Sequence, residues 1–196
     1  MFSGIIQGTG KIATIKNDKT YIETDLDLSE CDIGSSINCN GVCLTAVSIE
    51  KIDKNIFLFS VNISEETKKR STFNAKNICK IINLEKSLKV GNEISGHFVY
   101  GHVDCISEIL LIEKLESSWN YHFKINDKMK KFIVEKGSIS INGISLTIAN
   151  VSLKSFSISI IPHTFENTNL KALKIKDLVN VEFDSLARYI LNNDTK

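Results

Sequence analysis

Several things are scarce in this chain. Its 196 residues include one proline, Pro162, one tryptophan, Trp119, and only two arginines, Arg70 and Arg188. Charge of one sign is lacking too. Lys+Arg 24 against Asp+Glu 23 leaves a net charge of +1. That supplies no field to attract nucleic acid or an anionic membrane. An oligonucleotide-binding module would also want aromatic platforms along a basic groove, which one tryptophan hardly provides. No stretch approaches the ~20 apolar residues of a membrane span. The first ten residues, MFSGIIQGTG, have neither the basic start nor the apolar run of a secretory leader. The five cysteines, Cys31, Cys39, Cys43, Cys79 and Cys105, are odd in number and form no CxxC pair. The four histidines form no HExxH. Neither a disulfide framework nor a metal site is expected, and reduced thiols in a cytoplasmic protein are the plain reading. The preference for lysine over arginine reads as compositional drift rather than as a binding function.

What is present belongs to a globular protein: 42% hydrophobic and 24% charged residues. The length allows one domain or two small ones. Strand signals dominate. Apolar and polar residues alternate through Gly137–Thr147 on either side of Asn142-Gly143, a tight-turn pair. Tyr121, Phe123 and Ile125 alternate likewise, as do Phe156, Ile158 and Ile160, and 56–59 reads as a more buried strand. Two helices are expected. One covers 127–136, with Met129, Phe132 and Ile133 on one face and Gly137 as the stop. The other is the tail carrying Leu186, Tyr189 and Ile190, with Asp184 as its N-cap.

The chain also repeats itself. Ser36-Ile-Asn-Cys-Asn-Gly-Val-Cys-Leu-Thr45 matches Ser138-Ile-Ser-Ile-Asn-Gly-Ile-Ser-Leu-Thr147 at an offset of 102. Gly4 with Gly101, Ile6 with Val103, Ile12 with Ile109, Thr67 with Thr164, and Asn83-Leu-Glu85 with Asn180-Val-Glu182 match at an offset of 97. Five residues are gained before the hairpin and lost after it, as in a duplicated domain with altered loops. The expectation is all-β: two tandem barrels related by internal duplication, with a C-terminal helix. Boundaries are expected at 1–96, 97–184 and 185–196.

Two copies give two related pockets, so their differences are informative. Cys43 stands against Ser145, Ile5 against His102, and Glu66 against His163. Cys43 is either a small buried hydrophobe or a thiol facing a ligand. Nothing local marks it as a hydrolase nucleophile. His97 and His102 would point to opposite faces of an ideal strand, so at most one faces a given pocket. Either is equally a histidine satisfied by backbone, and Asp184 is equally a helix cap alone.

Six motifs in order carry a family resemblance: Met1-Phe-Ser-Gly-Ile-Ile6, Asn40–Thr45, Gly96-His-Phe-Val-Tyr-Gly-His-Val-Asp104, Asn142–Thr147, Ile161-Pro-His-Thr-Phe-Glu-Asn-Thr168, and Val179-Asn-Val-Glu-Phe-Asp184 followed by Leu186-Ala-Arg-Tyr189. From Met1 to about Ile190 the chain resembles the riboflavin synthase family, the α-chain type with two lumazine-binding repeats. The resemblance implies two Greek-key barrels and a C-terminal helix that assembles a homotrimer. It implies a dismutation of two molecules of 6,7-dimethyl-8-ribityllumazine to riboflavin and 5-amino-6-(D-ribitylamino)uracil, with no metal or organic cofactor. The active site would lie where the N-terminal barrel of one subunit faces the C-terminal barrel of another.

The resemblance implies a polar catalytic set of Ser36, Cys43, His102, Ser145, Thr147 and Asp184. His102 would move the proton of the donor methyl. Cys43, Ser36 or a water would add to the acceptor ring. Thr147 and Asp184 would orient these groups and the second lumazine, and Phe2 would cover a ring face. Substrate contacts are implied for Gly4, Ile5 and Ile6; for Cys43, Leu44 and Thr45; and for Asn62, Ile63, Ser64, Glu65, Glu66 and Thr67. They are implied equally for Gly101, His102 and Val103; for Lys136; for Ser145, Leu146 and Thr147; and for Ser159, Ile160, Ile161, Pro162, His163 and Thr164. Departures from the family pattern are Tyr100 beside the proposed base, Ser95, the segment 68–73, and Ser185 at the start of the tail helix. The rival of another class is a non-catalytic lumazine- or flavin-binding protein of the same fold. The presence of Cys43, His102 and Thr147 together favours the enzyme.

Overall fold

The computed structural model describes residues 1–16, 19–74 and 81–193. Cys79 and the last three residues of the tail lie outside the described residues. Twelve strands among them close into two barrels of six. The first contains β1 (Gly8–Lys16), β2 (Lys19–Thr24), β3 (Ser36–Cys39), β4 (Val42–Asp53), β5 (Ile56–Asn62) and β6 (Ile81–Lys86). The second contains β7 (Cys105–Lys114), β8 (Trp119–Lys124), β9 (Ser138–Ile141), β10 (Ile144–Val151), β11 (Ser155–Ile160) and β12 (Leu178–Phe183). Each closes in the order first, second, fifth, fourth, third, sixth, with antiparallel neighbours. Three hairpin-linked strands with the preceding strand returning beside the last is a Greek key.

Alternation along the strands explains the interiors. Ile22, Ile37, Leu44, Phe59, Val61, Ile82 and Leu84 fill the first barrel. Ile109, Tyr121, Phe123, Ile139, Ile148, Phe156, Ile158 and Val181 fill the second. The duplication reaches down to irregularities. β1 and β7 are bulged at Ile12/Thr14 and Ile109/Leu111, and β4 and β10 at Ala46/Ser48 and Ile148/Asn150. These are the offsets 97 and 102 again. Such bulges bend long strands sharply enough to close a small barrel.

The Asn-Gly turns do more than reverse the chain. Asn40 and Asn142 take φ of 52° and 48°, as the turn requires. The two turns meet at the barrel–barrel boundary, where a Cβ built on Gly41 would lie 2.9 Å from the Gly143 nitrogen. Around them the asparagines bond across the boundary in pairs. Asn83 Nδ2 donates to Asn142 O at 3.0 Å, and Asn180 Nδ2 to Asn40 O at 2.7 Å. Asn169 N donates to Asn83 Oδ1, and Thr72 N to Asn180 Oδ1, both at 2.7 Å. Each pair repeats under the duplication, so the barrels meet about an approximate two-fold axis.

The helices are short. α1 (Glu65–Arg70) is capped by Ser64, α3 (Pro162–Glu166) opens on the lone proline, and α4 (Ser185–Asn193) forms the tail. Asp184 accepts the Leu186 N–H at 3.0 Å, as an N-cap does. The expected helix over 127–136 is corrected: only α2 (Asp127–Lys130) is helical. Beyond it Phe132, Ile133 and Gly137 each donate to a carbonyl three residues back, in tight turns. Lys136, not Gly137, takes the positive φ, 66°. Met129 and Ile133 both enter the second core, and Lys136 N reaches the Ile148 carbonyl at 2.9 Å. That tether to the barrel leaves the chain no length for a longer helix before β9.

Candidate active site

The seven residues before β1 and their counterparts before β7 cross between the barrels. Gly4 O accepts the N–H of Ser145, on the second barrel, at 2.8 Å. Gly101 O accepts the N–H of Cys43, on the first barrel, at 2.8 Å. Ile6 packs against the second core and Val103 against the first. Each barrel wall is therefore completed by the leading segment of the other copy.

A buried carboxylate anchors each segment. Glu85 on β6 accepts Ser3 N at 2.7 Å, Ser3 Oγ at 2.9 Å and Gly4 N at 3.1 Å. Glu182 on β12 accepts the N–H groups of Tyr100, Gly101 and His102 at 2.7, 2.8 and 3.0 Å. Burial pushes both carboxyls above their ordinary range, while the N–H donors pull them back.

The first half-site lies on the outer wall of the first barrel. Cys43 and Thr45 alternate outward while Leu44 and Ala46 point into the core. Ser36 pairs with Thr45 across the hairpin. Facing Cys43 is a cavity of about 310 Å³ lined by Val42, Cys43, Glu66, Thr67, Arg70, Ser71, Gly101, His102, Val103, Asp104 and Arg188. Cys43 and His102, 59 residues apart in sequence, share it. His102 also borders a second cavity of about 380 Å³ with Tyr100, Glu182, Phe183, Ser185, Arg188 and Tyr189. Tyr100 belongs to that outer cavity, against the tail helix, its ring centroid 6.2 Å from that of His102.

The second half-site repeats the plan on β10. Ser145 and Thr147 occupy the places of Cys43 and Thr45, and Thr147 pairs with Ser138. Ser145 Oγ lies 2.6 Å from His97 Nδ1. Burial pushes the His97 imidazole below its ordinary value, and the charge of Asp184 partly opposes that shift. His97 thus lies beside Ser145 and His102 beside the Cys43 cavity, on different barrels.

The expected residues therefore divide. Ser36, Cys43, Thr45, Glu66, Thr67, Gly101, His102 and Val103 gather on the first barrel. Gly4, Ile5, Ile6, Ser145, Leu146 and Thr147 gather on the second, with α3 carrying His163 and Thr164 just beyond β11. Leu44, Ile63 and Ile160 turn their side chains into the cores, leaving backbone to offer. Phe2 is 0% exposed and bridges Val99 through both backbone bonds, so its ring faces protein here rather than an open pocket. Asn62 and Ser159 are exposed at strand ends, and Glu65 is paired with Lys68 on the solvent side of α1. Sequence reasoning gave no role to Glu85, Glu182, Asp104 or Arg70. The two glutamates stood inside a repeated block, and that recurrence was the available signal.

Comparison with known proteins agrees with this architecture. The chain matches the lumazine binding domain family twice, over residues 3–87 and 100–184. Fold and paired half-sites together define a tandem lumazine-binding protein. Riboflavin synthase of Actinobacillus pleuropneumoniae is 37% identical over 194 residues, 97% of this chain and 88% of that one. Riboflavin synthase of Bacillus subtilis (strain 168) is 34% identical over 194 residues, again 97% and 88% of the two chains. The chain belongs to the riboflavin synthase family. Among solved structures, LumP complexed with riboflavin superposes with a TM-score of 0.78 at 26% identity, covering 93% of this chain and 99% of the other. LumP complexed with 6,7-dimethyl-8-(1'-D-ribityl) lumazine gives 0.75 at 25% identity, with the same coverage.

Proposed function

We infer that the protein is a riboflavin synthase, converting two molecules of 6,7-dimethyl-8-ribityllumazine into riboflavin and 5-amino-6-(D-ribitylamino)uracil. The observation that carries this reading is the pair of half-sites, alike in backbone and different in chemistry. A reaction between two copies of one substrate needs two related pockets, and moving four carbons in one direction needs them to differ. Orientation supplies much of the rate, since fixing two reactants removes much of a bimolecular barrier. The 7-methyl group is already acidic because its carbanion delocalises into the pteridine, so a modest base suffices. His102 takes that proton, and Cys43, Ser36 or a water adds to the acceptor ring. Thr147 and Asp184 orient these groups and the second lumazine. The contacts named above from Gly4 to Thr164 hold the rings and ribityl chains, two substrates to a site.

Cys43 and Ser145 sit on different barrels of one chain, which fits a site completed by a neighbour in a homotrimer. Support comes from α4, whose Leu186, Tyr189 and Ile190 turn outward, exposed by 67%, 73% and 63%. A second copy of the chain is the partner that covers them. Deleting residues 186–196 is expected to convert trimer to monomer in sedimentation velocity, and an unchanged trimer would refute the role of the tail. The same reading places the protein in the cytoplasm; separately, among the described residues no helix is long and apolar enough to cross a membrane.

The deciding experiment incubates the purified protein with 6,7-dimethyl-8-ribityllumazine alone and follows riboflavin by absorbance. Riboflavin and the pyrimidine product should appear in equal amounts. The second reading, a ligand carrier, is favoured by the LumP superposition. Tight binding without turnover would establish it and sink the enzyme.

A further inference from the structure

The two copies diverge at the end of the crossing segment. Asp104 stands where the first copy has Gln7. Both side chains share one task. Gln7 Oε1 accepts the N–H of Lys86 at 3.0 Å, and Asp104 Oδ2 accepts that of Phe183 at 2.9 Å. Those two donors end β6 and β12 and are themselves 97 positions apart. A neutral amide is therefore enough for this bond.

The carboxylate adds a second partner. Asp104 Oδ2 also accepts from Arg188 Nη2 at 2.6 Å, the two side chains being 19% and 41% exposed. Arg188 comes from α4, whereas residues 87–96, which follow β6 at the corresponding place, run as turns and irregular chain. On α4 Arg188 turns inward to this bond while Leu186, Tyr189 and Ile190 turn out. Asp104 follows directly on Gly101–Val103, the stretch that closes the Cys43 cavity and carries His102. The charge of Arg70, on α1 of the first barrel, acts on the same carboxylate. Asp104 is thus where the first barrel, the second barrel and the tail helix meet, and both arginines of the chain line the cavity it borders, Arg70 being paired with Glu66.

We propose that Asp104 and Arg188 are positioning residues: their ion pair makes the placement of the His102 segment depend on the docking of the tail helix. Charge-assisted hydrogen bonding gives such a link both strength and direction. Its kinetic consequence rests on the riboflavin synthase reading of the Cys43–His102 half-site. There a small displacement of His102 would slow proton transfer more than it would weaken binding.

A double-mutant cycle in the full chain tests this. Asp104→Asn recreates the condition of Gln7, keeping an acceptor for Phe183 and losing the pair, and Arg188→Gln removes the other partner. Each single change is expected to lower kcat about tenfold with little change in KM, and the double variant to fall no further than the worse single one. Arg188→Lys, which keeps the charge, should recover part of kcat. A second readout needs no turnover. The ring-proton resonance of His102, assigned by its loss in His102→Gln, should shift in Arg188→Gln while those of His122 and His163 stay in place. If the unaltered protein forms no riboflavin, the functional reading fails and the resonance still decides the link. Additive losses, losses that vanish when raised protein concentration restores assembly, or an unmoved His102 resonance would overturn the proposal.

Discussion

Glu182→Ala is expected to lower unfolding free energy by about 3–5 kcal/mol, since it strands three N–H donors bonded to one buried carboxylate. Turnover should fall below detection. The carboxylate is 3% exposed and spans the N–H groups of Tyr100, Gly101 and His102. Truncation removes the one acceptor that these three N–H groups share, so the segment carrying His102 is expected to shift. Glu182→Gln should be intermediate. Its amide oxygen can serve Gly101 and His102 together, because both donate to Oε2. Its amide nitrogen then meets the Tyr100 N–H, donor against donor. Glu85→Ala is the internal comparison, releasing Ser3 and Gly4 and so disturbing the Ser145 half-site instead. Denaturant unfolding followed with steady-state kinetics measures both effects. A loss within about 1 kcal/mol for Glu182→Ala, the net worth of one ordinary hydrogen bond, would show that the anchor is dispensable.

Gly101→Ala carries the second large effect. Gly101 has φ of 76°, where a side chain is strained, and a Cβ there would stand 2.5 Å from the Cys43 nitrogen and 2.6 Å from its Cβ. The obstacle is backbone and a strand-borne Cβ, neither of which can swing aside. Strain of about 1 kcal/mol from the left-handed conformation and about 1–3 kcal/mol from overpacking should combine. The Gly101 O to Cys43 N bond should break, opening the cavity between Cys43 and His102. Gly34→Ala is the control. Its φ is 97° but nothing lies within 4 Å of the added carbon, so only the conformational strain, about 1 kcal/mol, remains. Thermal unfolding of the two variants side by side separates strain from collision. Equal losses would mean that the close approach is not rigid.

The two substitutions act on one design. A short segment from each copy is laid across the other barrel, pinned by a glutamate at one side and a glycine contact at the other. That arrangement explains why the motifs around Gly4 and Gly101 recur so closely. A boundary drawn at 96/97 therefore separates Gly101–Val103 from the first-barrel residues they contact. By strands, the barrels run from Gly8 to Lys86 and from Cys105 to Phe183. By contacts, Gly101–Val103 serve the first barrel and Gly4–Ile6 the second.

How much of this could be read without coordinates depended on the range of the interaction. The Asn-Gly hairpins, the alternating strands and the capped tail helix are local. Backbone sterics and a two-residue period determine them, and the structure has them where expected. The doubled architecture was legible because duplication leaves an offset that needs no geometry to detect. The helical spacing of Met129, Phe132 and Ile133 suits a series of tight turns as well as a helix, and burial against the second core selects the turns beyond Lys130. The burial of Phe2 is not legible, because nothing in Met1-Phe2 announces a backbone bridge to Val99. Cys43 and His102 could be singled out by residue type, but their meeting depends on a chain crossing that no local pattern encodes.

The two copies of one β-rich unit, the turns of their hairpins and the polar residues that distinguish them can all be read along the chain. The crossing of each leading segment onto the other barrel, its anchoring by Glu85 or Glu182, and the Asp104–Arg188 ion pair emerge only in the folded molecule. The reason is physical. Hairpin and helix signals come from neighbours in the chain, whereas a hydrogen bond between Gly101 and Cys43 exists only once both barrels have closed and docked.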